Sequence, residues 1–188
     1  MTPRAKEPQR NDARRNREAI LAAARELFAE SSEVPMYEIG KRAGVGQATL
    51  YRHFPDRGAV AGAIFAAELD RLERVAAEHA READAFFAIM RAVADVQARF
   101  HGLVECMGED SDPDTGQLKE RFVGLVAEPL RNARAAGLLR PDFDLDDVFL
   151  VIALVAGAIE QRGGAQDGAA AGSRALTLLF EGIGSPAS

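Results

Sequence analysis

Between Val34 and Arg57 two short segments flank the turn Ala43-Gly44-Val45-Gly46, and the second of them carries a polar face. At helical spacing Leu50 and Phe54 fall on one side, which leaves Gln47, Thr49, Tyr51, Arg52 and His53 for the other. Those side chains suit the major groove of DNA. Gln pairs bidentately with adenine, Arg pairs with guanine, and the Thr methyl packs on a thymine methyl. Tyr and Arg also bind phosphate, which positions a protein without reading sequence. A helix-turn-helix needs an apolar face to hold its angle, a small residue in the turn and a polar second helix. This segment offers all three.

Other spacings carry less. Gly44-Val45-Gly46-Gln47-Ala48-Thr49 reads G-x-G-x-x-T, but it lacks the third glycine and the preceding strand of a dinucleotide site. Asp110, Asp112, Asp114 and Asp142, Asp144, Asp146 form two D-x-D-x-D runs. A calcium loop needs Gly at its sixth place and Glu at its twelfth. The first run has Thr115 and Arg121 there and the second Asp147 and Ala153, so solvated loops or helix caps are expected. His79 and His101 lack the spacing of metal ligands. The single Cys106 excludes an intrachain disulfide and a Cys-rich zinc site, and reads as a small buried hydrophobe. No acid, base and nucleophile come together locally. Neither enzyme activity nor a cofactor or metal is expected.

The elements that would position the polar face are legible on both sides. Asn11 can cap a helix starting at Asp12, with Ile20, Ala24, Leu27 and Phe28 as its apolar stripe and an end near Ser31. Pro35 fits the first turn of the next helix, where Met36, Ile39 and Ala43 supply the inner face and Gly44 the end. Gly46 opens the third helix, and Pro55 with Asp56 closes it. Asp56 then caps a fourth helix to about Ala80, with Val60, Ile64, Ala67 and Leu72 inward. Phe86, Met90, Val93, Gln97, Phe100, Val104 and Met107 step by three and four, a stripe of helical period with a candidate break at His101-Gly102. A helix from about Thr115 to Ala136 contains Pro129 and ends at Gly137. Leu145 to Gln161 is helical, Gly163 to Gly172 reads as a mobile connector, and Ala175 to Glu181 lies in a last helix. No alternating strand pattern or internal repeat is present. The expected fold is all-α.

The chain has 188 residues, 47% hydrophobic and 28% charged, the balance of a folded protein. Of 23 basic residues 20 are Arg, and 36 residues are Ala, both good helix formers. The net charge of −6 conceals an asymmetry: residues 1–58 hold 11 basic and 8 acidic groups, and residues 59–188 hold 12 and 21. A basic head on an acidic body indicates two parts with different partners. The longest apolar run, Val148 to Ile159, is too short for a bilayer. The N-terminus has no apolar signal core. A cytoplasmic protein without a membrane partner is expected.

Ile39-Gly40, Ala43-Gly44-Val45, Thr49-Leu50-Tyr51-Arg52-His53-Phe54-Pro55 and Arg57 resemble the signature of the TetR-type transcriptional regulators. The preceding Ala19-Ile20-Leu21-Ala22-Ala23-Ala24-Arg25-Glu26-Leu27-Phe28-Ala29 matches as well, and the resemblance is dense over residues 16–65. Val34-Pro35 and Leu139-Arg140-Pro141-Asp142 are similar to actinobacterial members. The resemblance implies a homodimer with a three-helix DNA-binding head and a C-terminal helical domain for dimerisation and a small-molecule effector. On this chain that divides residues into a flexible basic arm (1–10), the head (11–58) and the body (59–188). Gly46 departs from the Ser or Thr that caps the recognition helix in many members. Carried over by position, Gln47, Thr49, Arg52 and His53 are candidates for groove contacts and Tyr51 and Arg57 for phosphate contacts. Lys41, Arg42 and Arg14 are candidates near the DNA backbone. The implied function is a repressor released from a palindromic operator by an effector. The alternatives are an activator or a ligand-independent regulator, and far behind them an all-helical enzyme.

Two features of the body bear on ligand and partner. Pro129 removes a helix hydrogen bond and clashes with the Leu125 carbonyl, at a cost of about 3 kcal/mol if uncompensated. A kink there would open space beside the neighbouring stripe, with Phe65, Phe86, Met90, Phe100 and Phe122 as candidate lining. Val148 to Ile159 is apolar all round and must be covered on both sides. A second copy is the natural cover, with Val151, Val155, Ala158, Leu176, Leu179 and Phe180 as candidate interface residues.

Overall fold

The computed structural model describes residues 7–31, 33–80, 82–100, 113–161 and 165–183. They form eight helices and no strand: α1 Glu7–Glu30, α2 Met36–Ala43, α3 Gln47–His53, α4 Arg57–Glu78, α5 Ala85–Arg99, α6 Pro113–Ala135, α7 Leu145–Glu160 and α8 Ala165–Ile183.

Two apolar cores organise them. In the head, Ile20, Ala24, Leu27 and Phe28 of α1 meet Ile39 of α2, Leu50 of α3 and Phe54. In the body, α4 to α8 pack around Phe86, Ile89, Met90, Phe122, Val126 and Val148. Two helices belong to both. On α4, Val60, Ala61 and Ile64 are in the head core, and Leu69 and Leu72 in the body core. On α5, Met90, Val93 and Ala94 are in the body core, whereas Val96 and the following Phe100 plug into the head. The head core therefore extends to Ile64, past the boundary expected at residue 58.

Helix ends follow local chemistry. The Asp56 carboxylate accepts from the Ala59 N–H at 2.7 Å and starts α4. Asp144 starts α7 through a capping box: it accepts from the N–H of Asp146 and Asp147, and the Asp147 carboxylate accepts from the Asp144 N–H. That gives Asp144, from the second aspartate run, a structural role. Pro35 precedes α2 instead of entering its first turn, and its carbonyl accepts from Glu38 N–H at 3.0 Å.

Two further expectations are corrected. α1 starts at Glu7 and not at Asp12, so residues 7–10 belong to a helix rather than to a flexible arm. Pro8 falls in its first turn, where a missing N–H costs nothing, and no breaker follows. α8 starts at Ala165, so Ala165 to Gly172 is helical and not a mobile connector. Its glycines serve packing: a Cβ on Gly168 or Gly172 would come within 3.1 Å of the Ile159 side chain of α7. α5 ends at Arg99 and buried Phe100 continues its stripe, whereas Val104, Cys106 and Met107 lie outside the described residues, as do His101, Asp110 and Asp112.

Polar links brace the frame. Glu68, a buried carboxylate on α4, is paired with Arg99 at the end of α5 at 3.2 Å. Arg121 of α6 donates to Asp70 and Glu73 of α4 at 2.7 and 2.8 Å, and these bonds, Asp70 first, raise its pKa further above the ordinary arginine value. Phe86 meets Phe143, and Phe87 meets Phe180, edge to face at 6.0 and 4.8 Å.

Candidate nucleic-acid interface

The turn between α2 and α3 is set by Gly44. Its φ of 69° is left-handed, which an L side chain adopts at a cost. Val45 N–H returns to the Gly40 carbonyl at 3.0 Å and Gly44 N–H to that of Lys41 at 3.3 Å, a Schellman closure of α2. A Cβ on Gly44 would meet nothing within 4 Å, so only backbone strain resists substitution. Gly44→Ala is expected to lower stability by about 1 kcal/mol and Gly44→Asn by less, measured by urea denaturation. Equal stability of all three would show that the turn does not need its left-handed residue.

Leu50 is fully buried in the head core and Phe54 nearly so, which fixes the rotation of α3. Gly40 lets α2 approach closely, since a Cβ there would lie 3.2 Å from the Leu50 side chain. The remaining side chains of α3 are placed by this. Gln47, Tyr51 and Arg52 are exposed, and Thr49 and His53 are half-buried. Tyr51, at 51% exposure, is a large aromatic ring that the fold leaves uncovered. α3 has no side-chain cap, because Gly46 offers none.

The surrounding cations differ in their freedom. Lys41 is exposed. Arg42 donates to Glu26 of α1 at 3.0 Å, so it also ties α2 to α1. Arg14 is exposed beside Glu18, one turn along α1. Arg57 is half-buried in the first turn of α4. The Arg17 guanidinium lies over the Phe54 ring, 5.4 Å from its centre, and so packs where α3 ends. Sequence reasoning passed over Tyr37. It is the second exposed tyrosine, at the start of α2 and one turn before Lys41. The available signal was that both tyrosines of the chain fall in this one segment.

In the body, Phe86, Met90 and Phe122 are packed in the core, Phe100 in the head core, and Phe65 against both. Two surface clefts lie elsewhere. One, of about 400 Å³ between α5 and α8, is lined by residues including Phe87, Arg91, Leu176 and Phe180. The other, of about 300 Å³, lies between α6 and the start of α7. Val151, Val155 and Leu176 are buried within the chain's own core. Ala158, Leu179 and Phe180 are half-buried, and Leu150, Leu154 and Leu178 are exposed large apolar residues of α7 and α8. Among the described residues no His, Cys, Asp and Glu cluster is arranged to hold a metal, and no helix is long and apolar enough to cross a membrane.

Residues 20–64 match the family model for bacterial regulatory proteins of the tetR family. Residues 81–185 match the model for the C-terminal domain of SbtR-like transcriptional regulators, more than half of the chain. The chain belongs to the TetR family. An HTH-type transcriptional regulator of Staphylococcus aureus is 38% identical over 63 residues, which cover 32% of this chain and 34% of that one. The match thus spans about a third of these curated relatives. Solved structures extend the likeness over more than nine-tenths of the chain. A TetR regulatory protein from Mycobacterium vanbaalenii shares 30% identity at a TM-score of 0.60, covering 94% of this chain and 99% of that one. A TetR transcriptional regulator from Streptomyces coelicolor shares 28% at 0.62, covering 91% and 99%. The TetR family consists of helix-turn-helix transcriptional regulators and not of enzymes, and the all-helical architecture of head and body is the one that its solved members share.

Proposed function

We propose that this TetR-family protein is a repressor that binds a palindromic operator as a homodimer and is released by a small-molecule effector. The observation that carries the reading is the division of α3. Leu50 anchors it to the head core, while Gln47, Tyr51 and Arg52 face outward uncovered. A short helix held by its inner face and polar on its outer face is built to enter a major groove. Release is supported by α4 and α5, which each contribute to both cores, so a change in body packing moves the head. Two-fold pairing would set two heads one helical turn of DNA apart, about 34–36 Å, and displacing either head breaks that register.

The test uses DNA from upstream of the protein's own gene. Tyr51→Phe and Thr49→Ala are each expected to weaken operator binding by roughly 1–3 kcal/mol with unchanged melting temperature. Loss at Tyr51 is expected to fall on all sequences, as for a phosphate contact, and loss at Thr49 on the specific site. Unchanged affinity in both variants would remove α3 as the reading helix.

A further inference from the structure

Gln97 interrupts the apolar stripe along α5, and the DNA-reading surface makes no use of it. Its side chain is buried, at 6% exposure. Nε2 donates to the Ile152 carbonyl of α7 at 3.0 Å, which fixes the amide plane. Oε1 is buried as well and has no hydrogen-bond partner among the described residues. A flipped amide gives no relief, because it would set Oε1 against the Ile152 carbonyl, acceptor against acceptor. Buried polar atoms are nearly always paired, and an acceptor stripped of water without a donor is unfavourable. The neighbouring Val93, Ala94, Val96 and Phe100 of the same stretch are buried and apolar. The charged pair next along the helix, Arg99 with Glu68, is occupied with itself.

We infer that Gln97 Oε1 is the hydrogen-bond acceptor of an effector site between α5 and α7, and that the effector is an uncharged, largely apolar molecule with one hydroxyl or N–H donor. The inference rests on the ligand-released reading above. The donor supplies the missing bond, and the apolar remainder suits the buried apolar residues that flank Gln97 along α5. A charged ligand would be buried there without a counter-ion. Ile152, whose carbonyl holds the amide, is partly buried and packs against the body core. The position also explains transmission: Val96 of α5 and Phe100 just beyond its end, on either side of Gln97 in sequence, plug into the head core.

The full-length protein is titrated calorimetrically with phenol, 4-propylphenol and 2-naphthol, each against its methyl ether, which keeps the shape and lacks the donor. The wild type is expected to bind at least one phenol about tenfold or more tightly than its ether. Gln97→Met is expected to bind phenol and ether alike and to melt no lower than the parent. Gln97→Asn, which withdraws the amide by one methylene, is expected to lose the preference too, and either variant decides the matter if the other does not fold. Equal binding of phenols and ethers by the wild type, binding of none of the phenols, or a preference that survives in the variants overturns the site. A gel shift with the best phenol is read separately. A Gln97-dependent preference that leaves operator affinity unchanged keeps the site and overturns ligand release. Release of operator from wild type and variant alike upholds ligand release and overturns Gln97 as the acceptor.

Discussion

Leu154→Asp is expected to yield a folded monomer that no longer binds the operator. Leu154 is 51% exposed in the isolated chain, on the side of α7 that also carries exposed Leu150. Leu178 of α8 is exposed as well, and α7 and α8 pack against each other. An aspartate at residue 154 is hydrated in a monomer and buried without a partner in a dimer formed through this face. With one head per particle, specific affinity is expected to fall by at least about a hundredfold. Sedimentation velocity, circular dichroism and operator titration check the three parts. The control is Val155→Asp, one residue along. Val155 is 1% exposed and belongs to the protomer's own core. That charge is expected to unfold the chain instead of splitting a dimer. A Leu154→Asp protein that stays dimeric and binds DNA normally would place the interface on another surface.

The second large effect is expected at Leu50→Ala. Leu50 is the one fully buried residue of α3, and the head core that receives it is small. Truncating a buried leucine costs about 2–5 kcal/mol. In a chain of this size that lowers the melting temperature by roughly 5–15 °C. Operator binding is expected to be lost with it, although every outward side chain of α3 is untouched. Thr49→Ala, at the adjacent half-buried position, supplies the contrast of reduced binding without reduced stability. A Leu50→Ala protein that melts like its parent would mean that α3 is held by something other than this contact.

The head was legible in the sequence because its signals are local. Gly44 ends α2, Asp56 caps α4, and the Ile20 to Phe28 stripe is buried as its spacing requires. Each is set by a few neighbouring residues. What spacing could not resolve depends on tertiary contacts. Val148 to Ile159 is apolar on every side, so nothing in its pattern told the inner Val151 and Val155 from the outer Leu150 and Leu154. Glycine-rich Gly163 to Gly172 reads as a break until Ile159 is placed beside Gly168 and Gly172. Phe100 continues the body stripe in sequence and yet packs into the head, since α5 passes from one core to the other. Tyr37 stands outside any apolar period, and its exposure appears only once α2 is docked.

Gly168 and Gly172 have a reach beyond the helices they join. A Cβ on either glycine would lie 3.1 Å from the Ile159 side chain, closer than ordinary contact, while one on Gly172 would touch Val155 at an ordinary 3.6 Å. The pair thus works as a ruler for the tilt of α8 on α7. In a dimer built on that helix pair, a small change of tilt is carried down the length of the protomer to the two reading heads. Half-site spacing, a property of the DNA, is then encoded in part by two absent side chains far from any base. Gly172→Ala would be recognised not by weaker binding alone but by a preference for operators with altered spacing.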